Sequence, residues 1–119
     1  MELFDTTQLG LERALAGASR RQEAIASNLA NVNTPGYQRK DVEFHDALRR
    51  AFDRDDRKAV LGVEPAEQVD RSAPMRQDGN AVDLDTEAAA QAKNGLEYEA
   101  LTAVMKARTA ILKSAMGVG

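Results

Sequence analysis

A chain of 119 residues is long enough for one domain, but three phenylalanines, two tyrosines and no tryptophan leave few large side chains to fill a core. A thin helical structure, ordered in part by its partners, is the expectation. Sixteen basic and nineteen acidic residues, a formal charge of −3, are interspersed, so no electropositive face marks a nucleic-acid binder, and the absence of cysteine excludes disulfides and thiolate metal sites.

The start, "MELFDTTQLG", has neither a basic region nor a continuous apolar run and is read as lacking a cleaved signal peptide; no later stretch approaches the roughly 20 apolar residues of a spanning helix. Asp5 followed by Gln8 forms a capping-box pattern, with Phe4 and Leu9 as its hydrophobic staple, so a helix is expected from Thr6 and the helical segment is taken as 5–33. Leu11, Leu15, Ala18, Ile25, Leu29 and Val32 follow four-three spacing, interrupted by Gln22, and make a heptad seam. Glu12, Arg13, Arg20, Glu23 and Ser27 form the opposite, solvated face.

The helix must end near Val32 or Asn33, because Pro35 cannot continue it and biases Thr34 toward extended backbone. Gly36 suits the positive φ of a type II turn before Tyr37. Asn31 and Asn33 lie where asparagine can cap free carbonyls. Asn28 sits beside the seam, a poor core residue unless a partner satisfies its amide.

Phe44, Leu48 and Phe52 fall at i, i+4, i+8 within "RKDVEFHDALRRAFDRDDRK", a short amphipathic helix that needs something to lie against. From Ala59 to Asn80 periodicity is lost; Gly62, Pro65, Pro74 and the "QDGN" turn predict a long loop, with a short extended piece at "AVLGV". A second long helix is expected over 84–116, with Asp83 or Asp85 as N-cap, Glu87 in its first turn, Lys106, Arg108 and Lys113 toward its end and Gly117 as stop. Its stripe is Leu101, Val104, Met105, Ile111, Leu112 and Ala115, and Ala88 to Gly95 is rich in small residues. The expected fold is a single, mainly α domain over 1–119: two long terminal helices packed as a coiled-coil-like pair, with a turn, a short amphipathic helix and an irregular loop over 34–83.

No catalytic or cofactor constellation emerges. His45 is the only histidine, a solvent-facing residue in this reading, which argues against triads and excludes histidine metal clusters. "DRDDRKAVLGVE" spaces acids like a calcium loop but puts Arg57 and Lys58 where an oxygen ligand and a turn glycine are required. No phosphate-binding glycine loop occurs. No enzyme, cofactor, metal, nucleic acid or small-molecule substrate is therefore expected.

"IASNLANVNTPGYQRKDVEF" resembles the signature of the flagellar basal-body rod family, in which an N-terminal helix ends in an Asn-x-Ala-Asn-x-x-Thr-Pro-Gly-Tyr segment; here those positions are Asn28, Ala30, Asn31, Thr34, Pro35, Gly36 and Tyr37. "DGNAVDLDTEAAAQAKNGLEYEALTAVMKARTAILKSAMG" is similar to the C-terminal part of the family's proximal type. The chain is too short for the inserted domain of distal-rod and hook relatives, and it lacks the C-terminal pattern of the FlgC type.

The resemblance implies a structural subunit of the periplasmic drive shaft, exported through the flagellar type III apparatus without a cleaved signal peptide. The implied partners are copies of itself, FlgC-type and distal rod subunits, a FliE-type junction protein and the export apparatus. It implies assembly through Leu11, Leu15, Ile25, Asn28, Leu29, Asn31 and Val32 on the first helix and Leu101, Val104, Met105, Ile111 and Leu112 on the second, with Thr34 to Tyr37 turning the chain outward. Phe44 and Leu48 resemble the short apolar element that early flagellar export substrates present to the export gate. The runners-up are another rod subunit, such as the FlgC type, and a small helical coiled-coil adaptor.

Overall fold

Asp5 starts the first helix, α1 (Thr6–Ala30): its carboxylate accepts a hydrogen bond from the Gln8 backbone N–H at 2.8 Å. The computed structural model describes residues 5–117, so the Phe4 half of the expected staple lies outside the described residues. Gln8 does not close the box; its amide faces the far helix, where Arg108 Nε donates to its Oε1 at 3.3 Å. α1 ends at Ala30, three residues short of the expected Asn33, because the chain then tightens into turns: Thr34 N–H bonds to Asn31 C=O and Tyr37 N–H to Thr34 C=O. Gly36 has φ +75°, the conformation expected of the residue after Pro35.

Strand β1 (Lys40–Val42) follows, then α2 (His45–Asp53), α3 (Arg57–Leu61), β2 (Glu67–Val69) and α4 (Leu84–Ala115). The two strands pair antiparallel, Lys40 opposite Val69 and Val42 opposite Glu67. "AVLGV" therefore belongs to a helix and its exit, against the expected extended piece. Asp56 decides this: its side chain accepts from the Ala59 N–H at 3.1 Å and nucleates the turn that buries Val60. The extended chain falls later, at 67–69, where it finds β1 as partner.

The long helices run antiparallel and pack together, with Asp5 beside Arg108 at one end and Asn28 beside Glu87 at the other. The main apolar core lies elsewhere. Leu9 and Ala24 of α1 meet Val42, Phe44, Leu48, Ala51, Val60 and Val63 of the middle segment. α2 can approach this closely because two glycines on α1 serve as sockets: the Phe44 ring sits over Gly17 and the Phe52 ring over Gly10, where a Cβ would lie 2.3 Å and 1.9 Å from the nearest ring carbon. The described chain is accordingly long and flat, 61 × 30 × 15 Å, with a three-sided core at one flank of the helix pair.

Candidate functional site

Asn28, buried on α1, closes the free edge of β1 as a neighbouring strand would. Its Nδ2 donates to Lys40 C=O at 2.8 Å, and its Oδ1 accepts from Lys40 N–H at 2.9 Å. The same amide donates to Glu87 Oε2 of α4 at 3.2 Å and accepts from the Tyr37 hydroxyl at 3.3 Å, which in turn shares a hydrogen bond with Ser27. The satisfying partner that a seam asparagine requires is thus found within the chain.

Glu87 is fully buried, and its charge is met by Arg39, whose Nε donates to Oε1 at 2.5 Å. Arg39 Nη1 reaches Asp70 Oδ2 at 2.6 Å, while Ser72 donates to Asp70 Oδ1 through both its hydroxyl and its N–H. Burial alone would lower the guanidinium's pKa, but the bonds to Glu87 and Asp70 outweigh that and hold it above its ordinary value. The Ser72 hydroxyl, with Arg39 next, holds Asp70 below the usual carboxylate range.

A second knot lies one turn away. Asn80 is fully buried, and its Nδ2 donates to Asn31 C=O at 2.9 Å and Thr34 C=O at 2.6 Å, the same carbonyls that accept from the Thr34 and Tyr37 N–H groups in the turns after α1. Asn31 Nδ2 caps Ser27 C=O at 2.8 Å, Gly36 N–H donates to Asp78 C=O, and Ala81 N–H to Tyr37 C=O. Gly79, at φ +80°, passes so close to Gly36 that a Cβ there would lie 3.3 Å from its Cα. The Thr-Pro-Gly-Tyr turn and the Asp-Gly-Asn turn are therefore one junction, from which α1, β1 and α4 depart at set angles.

Toward the middle of the pair, Asn94 donates to Ala18 C=O at 2.9 Å and to Gln22 Oε1 at 3.4 Å. His45, half exposed, stacks on Phe44 and is 2.6 Å from Glu97 of α4, an anchor that the expected solvent-facing role did not include. At the far end Arg108 grips Asp5, whose carboxyl is held below its ordinary value chiefly by the Gln8 N–H and then by Arg108.

Among the residues expected to assemble, Ile25 is buried within the chain, and Leu11, Leu15, Leu29, Val32, Leu101, Met105 and Leu112 are half-buried. Val104 and Ile111 are exposed, at 46 % and 65 %. Thr34, Pro35 and Gly36 stand at the surface and Tyr37 is half-buried; Phe44 and Leu48 are both in the core. Sequence reading missed the inward face of α4. Its two buried residues are polar, Glu87 and Asn94, and with Leu101 and Arg108 they recur every seventh position, a signal masked by reading Glu87 only as a helix-start acid. Among the described residues no grouping of three metal-ligating side chains occurs, and no helix is long and apolar enough to cross a membrane.

Residues 11–38, which hold α1 and the turn after it, match the family described as Flagella basal body rod protein. The chain is 31 % identical to the flagellar basal body rod protein FlgB of Bacillus subtilis over 100 % of this chain and 99 % of the relative. It is likewise 31 % identical to FlgB of Escherichia coli, over 87 % of this chain and 90 % of the relative, and 34 % identical to that of Salmonella typhimurium, over 74 % and 76 %. The fold and these matches define a class, the structural proteins of the flagellar basal-body rod. Within that class the chain belongs to the FlgB family: it is a structural subunit of the flagellar basal body, where it assembles with other rod components.

Proposed function

We propose that this chain builds the proximal, periplasmic part of the rod by stacking its α1–α4 pair against copies of itself and against FlgC-type and distal rod subunits, with a FliE-type protein at the junction below. One observation carries the reading. α4 turns Glu87 and Asn94 inward, while Leu96, Val104 and Ile111 remain 46–69 % exposed on its opposite side. Uncovered apolar surface on that scale marks an interaction face. The junction around Asn28 and Asn80 sets the angle of the pair, as an element that transmits torque requires.

Export precedes assembly in this reading: the chain passes unfolded through the type III apparatus, and Phe44 with Leu48 contacts the export gate. Both side chains belong to the folded core, so only an unfolded chain can present them. Ile111→Asp tests the assembly face, because the side chain is 65 % exposed and the subunit keeps its core. In a strain whose only copy carries the substitution, secretion of the subunit should persist while motility in soft agar is lost. Glu23→Gln, on the exposed face of α1, should leave cells motile. Motile Ile111→Asp cells would overturn the outer face of α4 as an assembly surface.

A further inference from the structure

Resting on that rod reading, we infer that the contact between copies is head to tail, with the overhanging end of α4 of one subunit seated in the groove between α1 and α4 of the next. The groove, about 370 Å³, is lined by Ala18 and Gln22 on one side and Asn94, Gly95 and Tyr98 on the other. Two features of it have no use inside the subunit. Asn94 is only 2 % exposed, yet its Oδ1 lacks a hydrogen-bond partner. Gly95 sits in the interior of a 32-residue helix, where glycine is unfavourable, although a Cβ there would meet nothing within 4 Å. Space and an unmet acceptor are what an incoming helix with a donor would use.

The same chain carries such a helix end. Because Arg108 pairs with Asp5, α4 from Thr109 to Ala115 runs about 10 Å beyond the start of α1 at ~1.5 Å per residue. This overhang presents Ile111 and is rich in donors, Lys113 and Ser114, and among the described residues Lys113 makes no ion pair. On the groove rim Glu99 is likewise without an ion pair among the described residues, so the charges are complementary. Groove and knob are different surfaces, separated by about 24 Å along one helix (95 to 111), so the contact is heterologous and propagates instead of closing into a dimer.

The natural chain has no cysteine, so Gly95→Cys and Ile111→Cys in one chain supply its only thiols. At about 24 Å apart on a rigid helix they cannot pair within a subunit. Concentrated, mildly oxidised double variant should give a ladder of disulfide-linked dimers, trimers and longer species, and an equimolar mixture of the two single variants should stop at dimers, each at least tenfold above either single variant alone. Absence of the ladder, or single variants that cross-link as strongly, would overturn the inference. Gly95→Leu supplies the cellular arm: helicity and thermal midpoint should equal or slightly exceed the parent's, while motility is lost. Motile Gly95→Leu cells beside non-motile Ile111→Asp cells would sink this register and leave the rod reading standing. Normal motility in cells lacking the chain altogether would sink the rod reading itself.

Discussion

Gly17→Ala adds one methyl group to α1, and the structure gives it nowhere to go. The new Cβ would lie 2.3 Å from Phe44 Cζ and 2.4 Å from both Cε atoms, against ordinary contacts of 3.4–4 Å. The ring would have to retreat by more than about 1 Å, yet it is 2 % exposed, packed in the core and stacked on His45 at 4.3 Å. Overpacking of this kind costs about 1–3 kcal/mol. Alanine in place of glycine returns about 0.5–1 kcal/mol of helix propensity. The balance is a net loss of about 1–2 kcal/mol. At Gly95, where an added Cβ meets nothing within 4 Å, the same substitution should yield the propensity gain alone. Urea unfolding of the purified chain, followed by circular dichroism, separates the two: with a slope of about 1–3 kcal/mol per molar, Gly17→Ala should lower the midpoint by roughly 0.5–1 M and Gly95→Ala should raise it slightly. A Gly17→Ala chain as stable as its parent would show that the ring is not seated on that glycine, and the account of how α2 docks on α1 would fail.

Arg39→Ala strands the fully buried Glu87 carboxylate and should cost about 3–5 kcal/mol, whereas adding Glu87→Gln to it should recover a large part, a coupling that a double-mutant cycle in urea would measure. Asn80→Ala removes the donor to Asn31 and Thr34 C=O and the acceptor for Val82 N–H, a loss of about 2 kcal/mol or more, read as faster amide exchange over residues 31–37. Acid should weaken the subunit in a defined sense: the folded state lowers the pKa of Asp70, so its contribution is complete above the unfolded value of about 3.9 and is lost as pH falls through the lower folded value. The urea midpoint should therefore drop between about pH 5 and pH 2, and Asp70→Asn should flatten part of that drop.

Both long helices could be read from the chain because their signals are short-range. Asp5 and Asp83 cap where local hydrogen-bonding chemistry says they should, Pro35 and Gly36 enforce the turn, and the apolar periodicity of α1 and α4 needs no knowledge of neighbours. The identity of the family was likewise legible, since Asn28 to Tyr37 is contiguous. Pairings across the chain were not. Asn28 and Glu87 are 59 positions apart and Arg39 and Glu87 are 48 apart, and nothing local to an asparagine or a glutamate announces which distant group will satisfy it. The same limit hid the sockets at Gly10 and Gly17, because an empty Cβ position acquires meaning only when a ring arrives over it. It also hid the division of labour between the two sides of α1, one holding an apolar core with the middle segment and the other a mixed seam with α4 in which the buried Glu87 and Asn94 sit among half-buried leucines. Periodicity reports that a face is apolar, and only packing decides whether the chain itself or another subunit will cover it.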